Sequence, residues 1–276
     1  MSIITLTSDF GLKDYTVAAV KAKIVSSRSD LSIVDITHHI KPFNVLETAF
    51  VLNGVYSEFP EKTIHLIGVD AEADANQKHL LVMIENQYFI GADNGIFSLL
   101  LPENKIQKII EIRHTLSMES VFPMKDVFVD IAFKLLDNKP LEEIGKTLKK
   151  VNEWKKINPV LANPNELTVH IAYVDHFGNL VTDLNKKLFH QFRKNRKFTI
   201  HASSTKINKI HQKYIDFSKE EMLVSVLKSN IGKAMAVFNS IDLLEIAIYK
   251  SYSEKGGTAE ELLGLTVGDT IKIKFE

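Results

Sequence analysis

The sequence predicts an α/β fold in two parts: an N-terminal α/β domain with a mainly parallel sheet, then a C-terminal domain of antiparallel strands. Three observations predict it. Up to Asp70, short β-branched runs alternate with stretches of helical periodicity, as expected of strands joined to parallel neighbours through helices. Between Val151 and Glu166 periodicity lapses into turn chemistry, with Asn152, Asn158-Pro159 and Asn163-Pro164-Asn165. Beyond Glu166, β-type runs follow one another. A chain of 276 residues exceeds the usual single-domain size. The expected division is 1–152, a connecting stretch 153–166, and 167–276.

Taken in order, Ile3–Thr7 is a β-branched strand broken by Ser8-Asp9-Phe10-Gly11. Asp14 can cap a helix whose inner face carries Val17, Val20 and Ile24 at helical spacing. Ser32–Ile36 is a second strand, leading into Thr37-His38-His39 and Pro42-Phe43. A helix with Val45, Ala49, Leu52 and Val55 on one side follows, then a third strand, Thr63–Val69, ending in Asp70. His79–Ile84 and Tyr88–Gly91 form a hairpin around Glu85-Asn86-Gln87, Asp93-Asn94-Gly95 turns into a short apolar helix, and Asp126–Leu136 is a further helix. The later β runs are Leu167–Val174, Lys197–His201, Met222–Leu227, Ala234–Phe238, Leu243–Tyr249 and Thr270–Phe275.

Composition narrows the function classes. Lys plus Arg and Asp plus Glu both number 34, so net charge is zero, whereas nucleic-acid binders carry a basic excess to neutralise phosphates. The local cluster Lys186-Lys187 to Arg193-Lys194-Arg196-Lys197 reads as the solvated face of a helix. Cysteine is absent, which removes disulfides, thiolate metal sites and a Cys nucleophile. No apolar run approaches the roughly 18 residues that span a bilayer. The N-terminus begins as a strand rather than a signal peptide, and cytoplasmic location is expected.

In parallel sheets, ligands bind beyond the carboxyl ends of the strands. Three predicted strands end in polar loops there, at Ser8-Asp9, Thr37-His38 and Asp70. A carboxylate such as Asp9 suits the vicinal hydroxyls of a sugar, accepting two hydrogen bonds; it could equally cap a turn. Ser8-Asp9-Phe10-Gly11 lacks every companion of a kinase magnesium motif. His38-His39 is a poor metal site, because adjacent residues of an extended chain point apart. No phosphate-cradling glycine motif occurs. No metal or cofactor is expected. In the C-terminal part, Asp175-His176-Phe177-Gly178-Asn179 interrupts an apolar run; taken alone it is a hairpin turn.

Taken together, these loops carry more. Thr7 to Asp14, Asp35-Ile36-Thr37-His38 with Pro42-Phe43, Gly91-Ala92-Asp93-Asn94-Gly95, Asp175 to Thr182, Asn239-Ser240 and Glu261 to Leu265 run in family order from the first strand almost to the C-terminus. This set resembles the S-adenosylmethionine hydroxide adenosyltransferase family, to which fluorinase and chlorinase enzymes are related. The resemblance implies an α/β N-terminal domain, a β-barrel-like C-terminal domain and a homotrimer with sites between neighbouring subunits. It implies displacement at the ribose C5′ of S-adenosylmethionine, with methionine leaving as a neutral thioether that needs no proton. The protein's task is then to orient the nucleophile, strip its water and hold the sugar. By matching positions, Asp9 would accept both ribose hydroxyls and Phe43 would pack against the sugar. Asp175 would take the methionine ammonium, Ser240 its carboxylate, and Asn179 the adenine edge. Tyr214, in a less well matched stretch, would stack on adenine.

The chain departs from the family where the attacking water is handled. Hydrolases of the family place an Asp, an Arg seven residues later and a His around that water. Here Asp70 survives, Gln77 stands where the Arg belongs, and Pro123 stands where the His belongs. Only four arginines exist, at 28, 113, 193 and 196, none in a ligand motif. Lys78, His79 or Lys125 could supply a cation, though Lys offers a flexible point charge rather than a fork. Loss of such preorganised groups costs about two orders of magnitude each. Glu72 and Asp74 would repel an anionic nucleophile if they face the pocket, which argues against halide use. The segment Tyr249–Gly257 is longer than its family counterpart, so Lys250, Ser251, Tyr252 and Glu254 could reshape the adenine end. Three readings stand: a hydrolase forming adenosine and L-methionine with Asp70 as its catalytic residue, a silent binder of S-adenosylmethionine or adenosine, and an adenosyl transferase using another nucleophile.

Overall fold

The computed structural model describes residues 2–72, 77–100, 105–113, 120–219 and 230–276. It divides into two compact units, Met1–Lys156 and Ile157–Glu276.

Unit 1 is built on one seven-stranded sheet. Its strands are β1 (Ile3–Ser8), β2 (Ser32–Thr37), β3 (Ile64–Gly68), β4 (His79–Ile84), β5 (Gln87–Ala92), β6 (Ile106–Ile112) and β7 (Gly145–Thr147), in the order β2-β1-β3-β5-β4-β6-β7. Four neighbours, β2, β1, β3 and β5, are parallel, and β4, β6 and β7 continue antiparallel. The period of two sends Leu80, Val82 and Ile84 to one face and Leu81 to the other. On the first face lie Val45, Ala49 and Leu52 of α2 (Val45–Asn53) and Ile96 and Phe97 of α3 (Ile96–Leu100). On the second lie Val20 and Ile24 of α1 (Thr16–Ser27), a π-helical turn (Met124–Phe128), and α4 (Val129–Leu136). Helices cover both faces, so the central strands are apolar on both sides.

Local chemistry accounts for several boundaries. The cap position of α1 is Tyr15, whose side chain makes no cap bond, and not the expected Asp14, which lies one residue earlier and accepts from the Thr16 backbone N–H at 3.0 Å and the Thr16 hydroxyl at 2.7 Å. The β4–β5 turn is tighter than the sequence suggested. Glu85 and Asn86 both have positive φ, 47° and 63°, as a two-residue primed turn requires, and Gln87 joins β5. Gln87 is drawn in because its amide donates to the carbonyls of Tyr56 and Phe59, while its oxygen meets His65 Nε2 at 2.6 Å. β6 was not foreseen, because the exposed Gln107-Lys108 pair breaks its alternation. The helix expected to begin at Asp126 begins with the turn at Met124; Pro123, with φ −54° and ψ −40°, already has helical geometry.

Unit 2 is β-rich. Strands β8 (Val160–Asn163), β9 (Glu166–Val174), β10 (Leu180–Asn185), β11 (Phe198–Ala202), β12 (Thr205–Ile207), β13 (Ile210–His211), β14 (Ala234–Phe238), β15 (Leu243–Ile248) and β16 (Thr270–Phe275) form one sheet. Its path is β12-β11-β16-β9-β10-β15-β14-β13, with β8 on β9, and every pairing except β13–β14 is antiparallel. β12 comes back against β14, so the sheet curls into a nearly closed barrel around Leu167, Val169, Ile200, Leu244, Ile246 and Ile273. β8 lies inside the stretch read as a connection. The basic cluster falls on α5 (Lys186–Arg193) and just beyond, with Arg193 over Phe198 and Arg196 over Phe275, each at 4.9 Å. The expected strand Met222–Leu227 and Asp74 lie outside the described residues. Among the described residues, no helix is long and apolar enough to cross a membrane.

Candidate functional site

In unit 1 the carboxyl end of the sheet gathers the first set of predicted residues. β1 delivers Asp9, and its Oδ2 accepts the backbone N–H of Phe43 at 2.8 Å. Phe43 has φ 64° and is 72% exposed. A left-handed Phe is strained, and the Asp9 bond helps hold it there. Burial pushes the Asp9 carboxyl up; the Phe43 N–H opposes this, and the nearby charge of Asp70 adds to it. The loop is braced from β2: the Ser8 hydroxyl lies 2.7 Å from His38 Nδ1, and the Gly11 N–H donates to the His38 carbonyl at 2.7 Å. His38 Nε2 lies 3.2 Å from Asp35, which also pairs with Lys21 at 2.5 Å. Burial favours the neutral Asp35 acid, but its bonds to Lys21 and His38 prevail and hold its pKa below the usual range. His38 is therefore occupied within this loop, while His39 is exposed.

Asp70 follows β3 and also takes a left-handed backbone, φ 45°. Its carbonyl accepts from Gln77 Nε2 at 2.8 Å and Asn94 Nδ2 at 3.3 Å. Gln77 Nε2 also lies 2.8 Å from the Glu72 carbonyl, and His79 Nε2 lies 2.7 Å from that of Ala71. Burial lowers the pKa of His79, so the neutral ring predominates. The three residues considered as sources of a cation are engaged elsewhere: Lys78 pairs with Glu111 at 2.8 Å, Lys125 with Asp126 at 3.1 Å, and the neutral His79 ring with the Ala71 carbonyl. Among the described residues, no cation lies within ion-pair distance of the Asp70 carboxylate. Gln77 serves the backbone of the Asp70 loop, and Pro123 serves a helix start.

In unit 2 the structure brings four predicted residues into one cavity of about 700 Å3: Asp175, Asn179, Tyr214 and Ser240. Asp175 Oδ1 accepts the N–H groups of Phe177 and Asn179, and its Oδ2 accepts Asn179 Nδ2 at 2.9 Å. The turn chemistry is therefore present, and Asp175 and Asn179 are locked to one another. Gly178, with φ 71°, makes this possible, since a Cβ there would sit 2.4 Å from Thr258 Cβ. Tyr214 opens α6 (Tyr214–Lys219), and Ser240 sits exposed in the β14–β15 turn. The sequence reading missed Glu245 at the cavity wall. It is 4% exposed, yet receives the Tyr214 hydroxyl and Asn239 Nδ2. A lone acid within Leu243-Leu244-Glu245-Ile246-Ala247-Ile248 was the available signal.

Family models describe this architecture. The S-adenosylmethionine hydroxide adenosyltransferase N-terminal domain matches residues 4–145, and the C-terminal domain matches 169–272. An (R)-S-adenosyl-L-methionine hydrolase of Methanocaldococcus jannaschii is 30% identical over 194 residues, covering 67% of this chain and 68% of its own. One from Salinispora tropica is 22% identical over 276 residues, covering 98% and 97%. A fluorinase of Nocardia brasiliensis is 23% identical over 214 residues, covering 67% and 71%. The crystal structure of an uncharacterised conserved protein from Thermotoga maritima matches with a TM-score of 0.81 at 27% identity, covering 99% of each chain. One model spans the sheet that carries Asp9 and Asp70 and the other spans the barrel that carries Asp175 and Ser240, so this chain belongs to the S-adenosylmethionine hydroxide adenosyltransferase family.

Proposed function

We propose that this protein binds S-adenosylmethionine and hydrolyses it to adenosine and L-methionine. The observation that carries the reading is the convergence of Asp175, Asn179, Tyr214 and Ser240 on one cavity, in a chain whose relatives include proteins named as hydrolases of this compound. Asp175 and Ser240 serve the ammonium and carboxylate of the methionine part, Asn179 and Tyr214 the adenine, and Asp9 and Phe43 the ribose.

The chemistry is an in-line displacement. Water oxygen attacks C5′, the C5′–S bond breaks, and its electron pair stays on sulfur as methionine leaves. The attacking water gives up one proton as it becomes the 5′-hydroxyl of adenosine. Asp70 orients this water and accepts its proton. The ligand contributes a good leaving group, so positioning supplies most of the rate. The protein works as a homotrimer without metal or cofactor.

A second reading is favoured by a specific observation: Gln77 is bonded to the Asp70 and Glu72 carbonyls, and no described cation supports Asp70. On that reading the protein is a silent binder. Incubating purified protein with S-adenosylmethionine and measuring adenosine and methionine decides between them, with a calorimetric titration alongside. Equal amounts of both products support hydrolysis. Binding without products supports the silent binder, and no binding defeats both. Both sulfonium epimers belong in the assay, because the hydrolase relatives are named for the (R) form.

A further inference from the structure

Glu245 is a carboxylate in the middle of an apolar strand. Along β15, Leu244 and Ile246 enter the barrel core while Glu245 and Ala247 line the cavity. Each of its oxygens is engaged by a different part of the cavity wall. Oε1 accepts the Tyr214 hydroxyl, and Oε2 accepts Asn239 Nδ2 at 3.2 Å. Asn239 in turn builds the β14–β15 turn. Its side-chain oxygen accepts the N–H groups of Ile241 at 3.2 Å and Leu243 at 3.1 Å, and its backbone pairs with Leu243 and Asp242 at 3.0 Å each. That turn presents Ser240. One buried carboxylate thus ties the aromatic wall to the serine turn, across residues 31 and 6 apart in the chain.

We propose that Glu245 is a positioning residue: it holds Tyr214 and the Ser240 turn in register, so that the ring end and the amino-acid end of the ligand are set together. The inference rests on the assignment of Tyr214 and Ser240 to S-adenosylmethionine. A buried carboxylate is costly even when bonded, and an apolar residue would serve barrel stability as well or better. Burial and the charge of Asp175 push the Glu245 carboxyl up, against the pull of its two donors. Burial, Glu245 and Asp175 together push the Tyr214 phenol up, which keeps it a donor. What the arrangement gains is geometry, since a satisfied polar network specifies one conformation.

The test titrates the full chain calorimetrically with adenosine and with S-adenosylmethionine, recording melting temperatures. The variants are Glu245→Ala, Glu245→Gln, Tyr214→Phe and Asp175→Ala. Glu245→Ala should weaken adenosine about tenfold and S-adenosylmethionine about a hundredfold, because each released wall costs on the order of one charge-linked hydrogen bond. Glu245→Gln keeps an acceptor for Tyr214 and should recover most adenosine binding. Tyr214→Phe should weaken both ligands alike, and in the Glu245→Ala/Tyr214→Phe double variant the two effects on adenosine should not add. Glu245→Ala also leaves two donors without their acceptor and should melt lower, so affinities are compared well below each variant's melting temperature, where a purely structural role would leave them intact. If Glu245→Ala and Glu245→Gln bind both ligands within about twofold of native, the scatter of non-interacting sites, the positioning role is overturned. Should only Asp175→Ala fail to act, by binding S-adenosylmethionine like the native chain, the amino-acid assignment falls while the clamp on the ring wall stands. A native chain that binds neither ligand overturns the reading and this inference together.

Discussion

Asp70 occupies a left-handed backbone position, φ 45°, which Asn adopts at least as readily as Asp. Asp70→Asn therefore removes the charge while sparing the loop. Turnover should fall by about a hundredfold or more, as when a positioned base is lost, while S-adenosylmethionine affinity stays close to native. Product formation that survives the change would place the chemistry elsewhere. His65 makes a different prediction. It is fully buried between Thr5 and Gln87 and stacked on Phe89 at 4.4 Å, and burial pulls its pKa down to about 4. The unfolded chain binds a proton on His65 below about pH 6.5, but the folded chain resists doing so until about pH 4. Its contribution is thus complete above pH 6.5 and is lost as pH falls through that window, by roughly 3 kcal/mol in all. Urea midpoints measured from pH 7 to pH 4 should drop, and a His65→Gln chain should show a shallower slope. Equal slopes would remove His65 as the cause.

The segments around Gln77 and Pro123 show how an element's own needs compete with catalysis. Read as a string, Gln77 is a missing arginine and Pro123 a missing histidine. In the fold Gln77 bolts the loop after β3 through two backbone carbonyls, and Pro123 begins the helical segment that runs from Met124 into α4. Gln77→Arg combined with Pro123→His should raise the hydrolysis rate, since both groups would act on the nucleophile rather than on bound substrate. It should also cost about 1–3 kcal/mol of stability for the two lost bonds, which thermal melting reads before rates are compared. A double variant that melts lower with no gain in rate would argue that Asp70 needs no cationic partner here. The job of Gln77 was not legible in the sequence, because a side chain's bond to a carbonyl depends on loop shape and not on residue type.

At the scale of the whole molecule, the proposed homotrimer should scatter light as three times the 31.2 kDa chain mass at micromolar concentration. A monomer mass would count against it. Strands β1 to β3, helices α1 and α2, and β9, β14, β15 and β16 were legible in the sequence, because the alternation of apolar residues is set by the local geometry of each element. So were the loops of Asp9, Asp70 and Asp175, since polar breaks in apolar runs mark where a chain leaves a sheet, whereas Ser240 was named only through the family resemblance. Tertiary structure alone decided which of these residues meet. Phe43 reaches Asp9 across 34 residues and Tyr214 reaches Glu245 across 31. Both contacts are made by sheet order and by turns that place distant segments side by side. Local periodicity specifies the face a side chain takes but not the partner it finds there, so Glu245 read as an oddity within a strand until the fold put two donors against it.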